Sequence, residues 1–174
     1  MLEILSLQIM RRYKQPGFTL VELLIAITII GILLAIGLPS FQQTVDKSRL
    51  VGAADNLLAD MRYALTEATK RNIAITVTFT EGANWSYVFD TSATTTKTTN
   101  GSDYRGTSML VSTTGDLFTF DPKRGTIDQA PTTNATTLIT ITSALGAKLG
   151  LEVDPLSRMR LCTSTGVGGY PACP

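Results

Sequence analysis

The sequence predicts an α+β protein, one long N-terminal α-helix with a transmembrane half and an amphipathic half, packed on a β-rich headgroup. Three observations predict it. An uninterrupted apolar run occupies residues 18–38 but for one carboxylate; apolar residues then recur at helical spacing through Val51, Ala54, Leu58, Met61, Leu65 and Ala68; and from Ile73 the apolar period becomes two.

The apolar run counts 21 residues. At about 1.5 Å per residue it reaches about 32 Å, close to the roughly 30 Å hydrocarbon core of a bilayer. Arg11, Arg12 and Lys14 precede it and, by the positive-inside rule, hold the N-terminus in the cytoplasm and send the chain after Pro39 across the membrane. A cleaved secretory signal has a shorter apolar core and a small-residue cleavage site behind it, whereas Leu38-Pro39-Ser40-Phe41 follows this run. The run therefore stays in the mature protein. The carboxylate is Glu22, and an ionised group inside a span costs about 2.5 to 3.5 kcal/mol. The helix macrodipole returns only about 0.3 to 1 kcal/mol. Glu22 needs a partner.

The helix is expected to continue to about Arg71, roughly 80 Å in all. Asp46, Lys47, Asp55, Arg62 and Lys70 fall off the apolar stripe. Pro39 lacks an amide hydrogen and Gly31 and Gly37 loosen the anchor, so a bend is expected there. Ile73, Ile75, Val77 and Phe79 alternate with smaller residues as a half-buried strand; Glu81-Gly82-Ala83-Asn84 turns the chain into a second strand marked by Trp85, Tyr87 and Phe89. Residues 91–100 carry six Thr and no large apolar side chain, and read as a solvated loop. Further strands are expected at 108–113, 117–120, 138–142, 149–153 and 157–162. Between them Asp121-Pro122-Lys123-Arg124-Gly125 reads as a turn, with Gly125 at positive φ returning the chain into Ile127.

Composition removes several function classes. The chain has no His, which excludes Ser-His-Asp and Cys-His catalysis, His-containing zinc sites and imidazole switching. Two cysteines cannot form a four-thiolate site, so neither a metal nor another cofactor is expected. Beyond residue 17 the chain has 12 basic and 13 acidic residues, and net charge makes no case for nucleic acid. Cys162 and Cys173 lie on the side expected to be oxidising, which favours a disulfide closing residues 163–172, with about 2 to 3 kcal/mol from the chain-entropy constraint. Such a loop either staples a loose tail or holds a recognition surface in place.

Gly17-Phe18-Thr19-Leu20-Val21-Glu22-Leu23-Leu24 resembles the processing and methylation site of type IV pilins and of type II secretion pseudopilins. The resemblance implies a leader over 1–17, cleavage after Gly17 by a membrane prepilin peptidase, N-methylation at Phe18, and pairing of Glu22 with the terminal amine of a neighbouring subunit. The rest then divides into a transmembrane or filament-core helix over 18–38, an amphipathic helix over 39–72 and a pilin-like headgroup over 73–174. The implied partners are other pilins or pseudopilins and the inner membrane, with the headgroup in the periplasm. The leader is long, with an apolar patch at residues 4–10; initiation at Met10 gives a compact basic leader instead.

The second half, through residues 62–72, Phe118 to Gly125, and Ser157-Arg158-Met159-Arg160-Leu161-Cys162, is similar to minor pilins and pseudopilins of the GspH/FimT type. In FimT-type minor pilins a C-terminal Gly-Arg-x-Arg element is associated with DNA binding, and the matching positions here are Ser157, Arg158, Met159 and Arg160. Replacement of the Gly puts a tight backbone bend in doubt. On a strand Arg158 and Arg160 share a face and, joined by Lys148, contact successive phosphates of double-stranded DNA without base readout. Three functions remain open: a minor type IV pilin, a type II secretion pseudopilin, and an enzyme, for which no catalytic constellation is visible. The arginine pair favours the first.

Overall fold

A computed structural model of the chain describes residues 17–91, 95–112, 116–128, 136–165 and 167–173. Residues 1–16 of the expected leader, with Arg11, Arg12, Lys14 and the 4–10 patch, lie outside these residues, as do residues 92–94, Thr113 and Gly166. The chain divides into two compact units, one ending at Ser40 and one running from Phe41.

In the first unit helix α1 (Leu20–Arg71) begins, and it continues through Pro39 into the second. Its C-terminus is set by Asn72, which takes φ +54°, and by the bond from the Ile73 amide to the Ala68 carbonyl at 3.1 Å. That six-to-one bond with a left-handed residue inside it is a Schellman stop. Glu67 and Arg71 form an ion pair one turn apart at the same end.

In the second unit the described strands are β1 (Ile75–Thr80), β2 (Ser86–Thr91), β3 (Thr95–Asn100), β4 (Ser108–Val111), β5 (Leu117–Phe120), β6 (Ile127–Asp128), β7 (Thr137–Thr142), β8 (Lys148–Val153) and β9 (Met159–Thr163). They form two antiparallel sheets, ordered β3-β2-β1-β5-β6 and β4-β7-β8-β9. The Gly82–Met109 bridge and the bond from the Ile127 amide to the Pro155 carbonyl join the sheets. Leu50, Leu57 and Met61 of the helix, Tyr87, Phe89, Phe118 and Phe120 of one sheet, and Ile139, Ile141, Leu149 and Leu151 of the other share a single core.

The long helix on a strand-rich headgroup is the expected α+β fold, with three corrections of detail. Residues 95–100 are not a solvated loop: they form β3, paired with β2 through Tyr87↔Thr99 and Phe89↔Lys97. Threonine is β-branched and suits an edge strand, which can be held by its backbone ladder without burying large side chains. The buried helix face is Leu50, Ala53, Ala54, Leu57, Asp60, Met61, Ala64 and Ala68. Val51, Leu58 and Leu65 of the expected stripe lie at its flank, partly buried, because the stripe is wider than the single row of spacings suggested. Finally, β9 begins at Met159, so Ser157 and Arg158 belong to the turn before it. The 121–125 turn matches expectation: Gly125 has φ +62°, its amide bonds to the Asp121 carbonyl at 2.9 Å, and the Asp121 carboxylate accepts the Lys123 amide at 2.7 Å. The amides of Lys123 and Arg124, both donating to the carboxylate, hold the Asp121 carboxyl below the ordinary aspartate range.

Candidate functional site

At the N-terminal end Thr19 caps the helix: its hydroxyl accepts the Glu22 amide at 3.2 Å and its carbonyl accepts the Leu23 amide at 3.1 Å. Thr19-Leu20-Val21-Glu22 thus has the residue types of a capping box, and Glu22 occupies the first turn, where the helix end is positive. Every residue from Gly17 to Thr44 is exposed, and Phe18 is 82% exposed. Among the described residues α1 alone is long and apolar enough to cross a membrane. No cation of the described residues meets the Glu22 carboxylate. An apolar surface of this length in water needs lipid or other protein to cover it.

At the other end of the chain, β8 and β9 put Glu152 opposite Arg160. The guanidinium Nε lies 2.5 Å from Glu152 Oε2, and Arg158 Nε lies 2.5 Å from Asp154 Oδ2. Asp154 also organises the turn, accepting the Leu156 and Arg158 amides on Oδ1, each at 2.9 Å. Partial burial works to raise its pKa, but the bonds and charge from Arg158 together with the Leu156 amide outweigh this and hold Asp154 below the ordinary range. The hydrogen bond to Glu152, and then its charge, raise Arg160 further. The four charged side chains and Met159 line a cleft of about 360 Å³. Arg158 and Arg160 are brought together, but each faces a carboxylate.

Ser157 has φ +58°, so the backbone keeps the left-handed bend without glycine. Its hydroxyl is buried with no partner among the described residues. Lys148 does not join the arginines. It opens β8 four residues before Glu152, about 13 Å along the strand. The cleft that holds both arginines is lined without Lys148.

Cys162 and Cys173 are joined, with Cα atoms 4.9 Å apart. The tail they close is built into the headgroup: Val167 is buried in the core, and Thr163 bonds to Pro171 and Cys173 along the outer edge of β9. Burial, then the Asp55 carboxylate, raise the Tyr170 hydroxyl. On the adjoining strand Gly150 is covered so closely that a Cβ there would lie 2.8 Å from Leu138 Cδ1 and 3.1 Å from both sulfurs. Side-chain alternation signals neither this packing nor the role of Asp60, a buried carboxylate on the helix stripe that receives Tyr87, Lys97 and Thr99. The available signal for Asp60 is an acidic residue at core spacing between Leu57 and Ala64.

Two family models match the sequence: the prokaryotic N-terminal methylation motif over residues 12–38 and the type II transport protein GspH over residues 53–164. The chain belongs to the GspH family of type IV pilin-like proteins. Two curated relatives of this GspH-family chain are the fimbrial protein EcpC of Eikenella corrodens, 47% identical over 58 residues, and the type IV major alpha-pilin of Moraxella bovis, 51% identical over 45. Those matches cover 33% and 26% of this chain, and 37% and 28% of the relatives' own lengths. The crystal structure of the Pseudomonas aeruginosa PAO1 type IV minor pilin FimU resembles it with a TM-score of 0.55 at 19% identity, covering 73% of this chain and 98% of that one. This likeness establishes the pilin fold for the GspH-family chain.

Proposed function

We propose that the chain is a minor type IV pilin, cleaved after Gly17 by a prepilin peptidase and methylated on Phe18. Residues 18–38 hold it in the inner membrane, with the headgroup in the periplasm, until it joins other pilins in a filament and helps prime their assembly. The observation that carries this reading is Glu22, an exposed carboxylate in the first turn of an exposed apolar helix. Covered by lipid or by neighbouring helices, that carboxylate requires a cation. Cleavage creates one, the Phe18 amine, and the amine of a neighbouring subunit meets the need. The test is the intact mass of the membrane-extracted protein with and without the peptidase, followed by incorporation of Glu22→Ala into pili. Cleaved, methylated protein that inserts but is poorly incorporated is the expected result. Normal incorporation of the variant overturns the reading.

The match to the type II transport protein GspH favours a second reading, a pseudopilin acting in protein export. It shares the cleavage site and Glu22 but predicts a secretion defect, and no pilus defect, in a deletion strain. Within the minor-pilin reading, a FimT-like contribution to natural transformation would use Arg158 and Arg160 against DNA phosphates. Their pairing with Asp154 and Glu152 makes that contact weak.

A further inference from the structure

Within the headgroup unit the turn between β7 and β8 abuts the start of its helical segment. The Leu145 amide points at Asp46 Oδ2 at 3.4 Å, and both residues line two hollows beside the helix. One, of about 300 Å³, is lined by Phe41, Val45, Arg49, Ala144 and Leu145 among others; the second, of about 320 Å³, by Gln43, Asp46, Lys47, Leu145 and Ala147. Phe41 is 67% exposed and Leu145 60%. Turn geometry does not call for Leu145, because the left-handed position beside it is filled by Gly146 at φ +84°.

The charge around these hollows differs from that of the arginine cleft. Lys47 and Arg49, which line them, are exposed, and neither is ion-paired with a described residue. Asp46 is the sole carboxylate among the lining residues. Large apolar tips beside unpaired cations suit the boundary between acyl chains and phosphates. A neighbouring protein that filled the hollows would have to bring a carboxylate to each of the two cations, whereas an anionic bilayer surface presents phosphates to both. Phe41 also follows Leu38 by three residues, a reach of at most about 11 Å even when extended. It is tethered within range of the bilayer surface whatever path the chain takes.

We propose that this base of the headgroup is a lipid-facing surface: Phe41 and Leu145 enter the acyl boundary while Lys47 and Arg49 hold phosphates of anionic phospholipid. The proposal rests on the reading of residues 18–38 as a membrane anchor. The full chain is reconstituted in vesicles of phosphatidylcholine, with or without phosphatidylglycerol, containing lipids brominated near the carbonyl. Leu145→Trp is compared with Leu156→Trp, an exposed position at the opposite end of β8, after subtraction of the parent signal from buried Trp85. Strong quenching at 145 and weak quenching at 156 is expected. Lys47→Glu with Arg49→Glu should remove most of the quenching in phosphatidylglycerol vesicles, each basic side chain being worth about a fivefold preference for the anionic surface.

Protein that resists alkaline extraction yet shows equal quenching at the two positions overturns the proposal and leaves the anchor intact. Quenching indifferent to the charge reversals overturns it as well, as does cross-linking from position 145 to a second copy in place of lipid. Release of the protein by alkaline extraction removes the anchor and the proposal together.

Discussion

Lys97 reaches from the edge strand β3 to a carboxylate buried in the helix face, its Nζ 2.5 Å from Asp60 Oδ1. Tyr87 donates to Asp60 Oδ2 at 2.9 Å and Thr99 to the same oxygen at 3.2 Å. One side chain of α1 thus holds β2 and β3 in place. Removing a buried partner strands the groups that faced it, and Asp60→Ala is expected to cost about 3 kcal/mol, the lower end of the range because Lys97 can turn to water. Lys97→Ala should cost less, since Tyr87 and Thr99 still donate. Urea unfolding followed by Trp85 fluorescence measures both; equal, negligible effects would refute the account.

The same cluster gives the headgroup an alkaline limit. Burial first pushes the Tyr87 hydroxyl far above its ordinary range; the bond from Thr99 opposes this and the Asp60 carboxylate adds to it. In the unfolded chain Tyr87 ionises near pH 10, while in the fold it keeps its proton. The unfolded state then binds fewer protons, so stability present below about pH 10 falls as pH rises beyond it. Unfolding free energy measured between pH 8 and 11 should decline, and Tyr87→Phe should flatten the decline while lowering stability at pH 8 through the lost bond to Asp60.

The parts of this fold that were legible in the sequence are those where one spacing rule decides the outcome. The 18–38 run, the alternation through Ile75, Val77 and Phe79, and the Asp121–Gly125 turn each depend on local pattern alone. β3 was missed because an edge strand of threonines needs only a partner ladder, which composition cannot display. Asp60 was missed because a charge on an apolar stripe is explained only by Tyr87, Lys97 and Thr99, each distant in sequence. The arginine pair was visible, but Glu152 faces Arg160 only through the β8–β9 register and Asp154 faces Arg158 only through the turn that Asp154 organises. The N-terminal methylation motif over residues 12–38 is legible because it is contiguous.

Ser157 carries a cost that glycine would relieve. A non-glycine residue in the left-handed region costs about 1 to 2 kcal/mol, and a buried hydroxyl with no partner among the described residues adds about 1 to 3 kcal/mol. Glycine gives back about 0.5 to 1 kcal/mol in unfolded-chain entropy. Ser157→Gly is therefore expected to stabilise the headgroup by about 1 kcal/mol or more, read as a higher denaturant midpoint at unchanged slope. Destabilisation would mean that the hydroxyl has a role in the turn that these contacts do not reveal.

If Arg158 and Arg160 touch DNA, their carboxylate partners compete with phosphate. Two contacts give a log-log salt slope of only about −2. Glu152→Gln with Asp154→Asn removes both competing charges, and the Asn oxygen can still accept the Leu156 and Arg158 amides that shape the turn. Low-salt affinity for a duplex should rise by up to about fivefold for each carboxylate removed, and Arg158→Ala with Arg160→Ala should abolish binding. Mild acid cannot substitute for the Asp154 change: its lowered pKa keeps that carboxylate charged, and its contribution to stability intact, until pH falls below the ordinary aspartate range. A gel shift in which the neutralised variant binds no better than the parent would remove the arginine edge from any account of DNA capture.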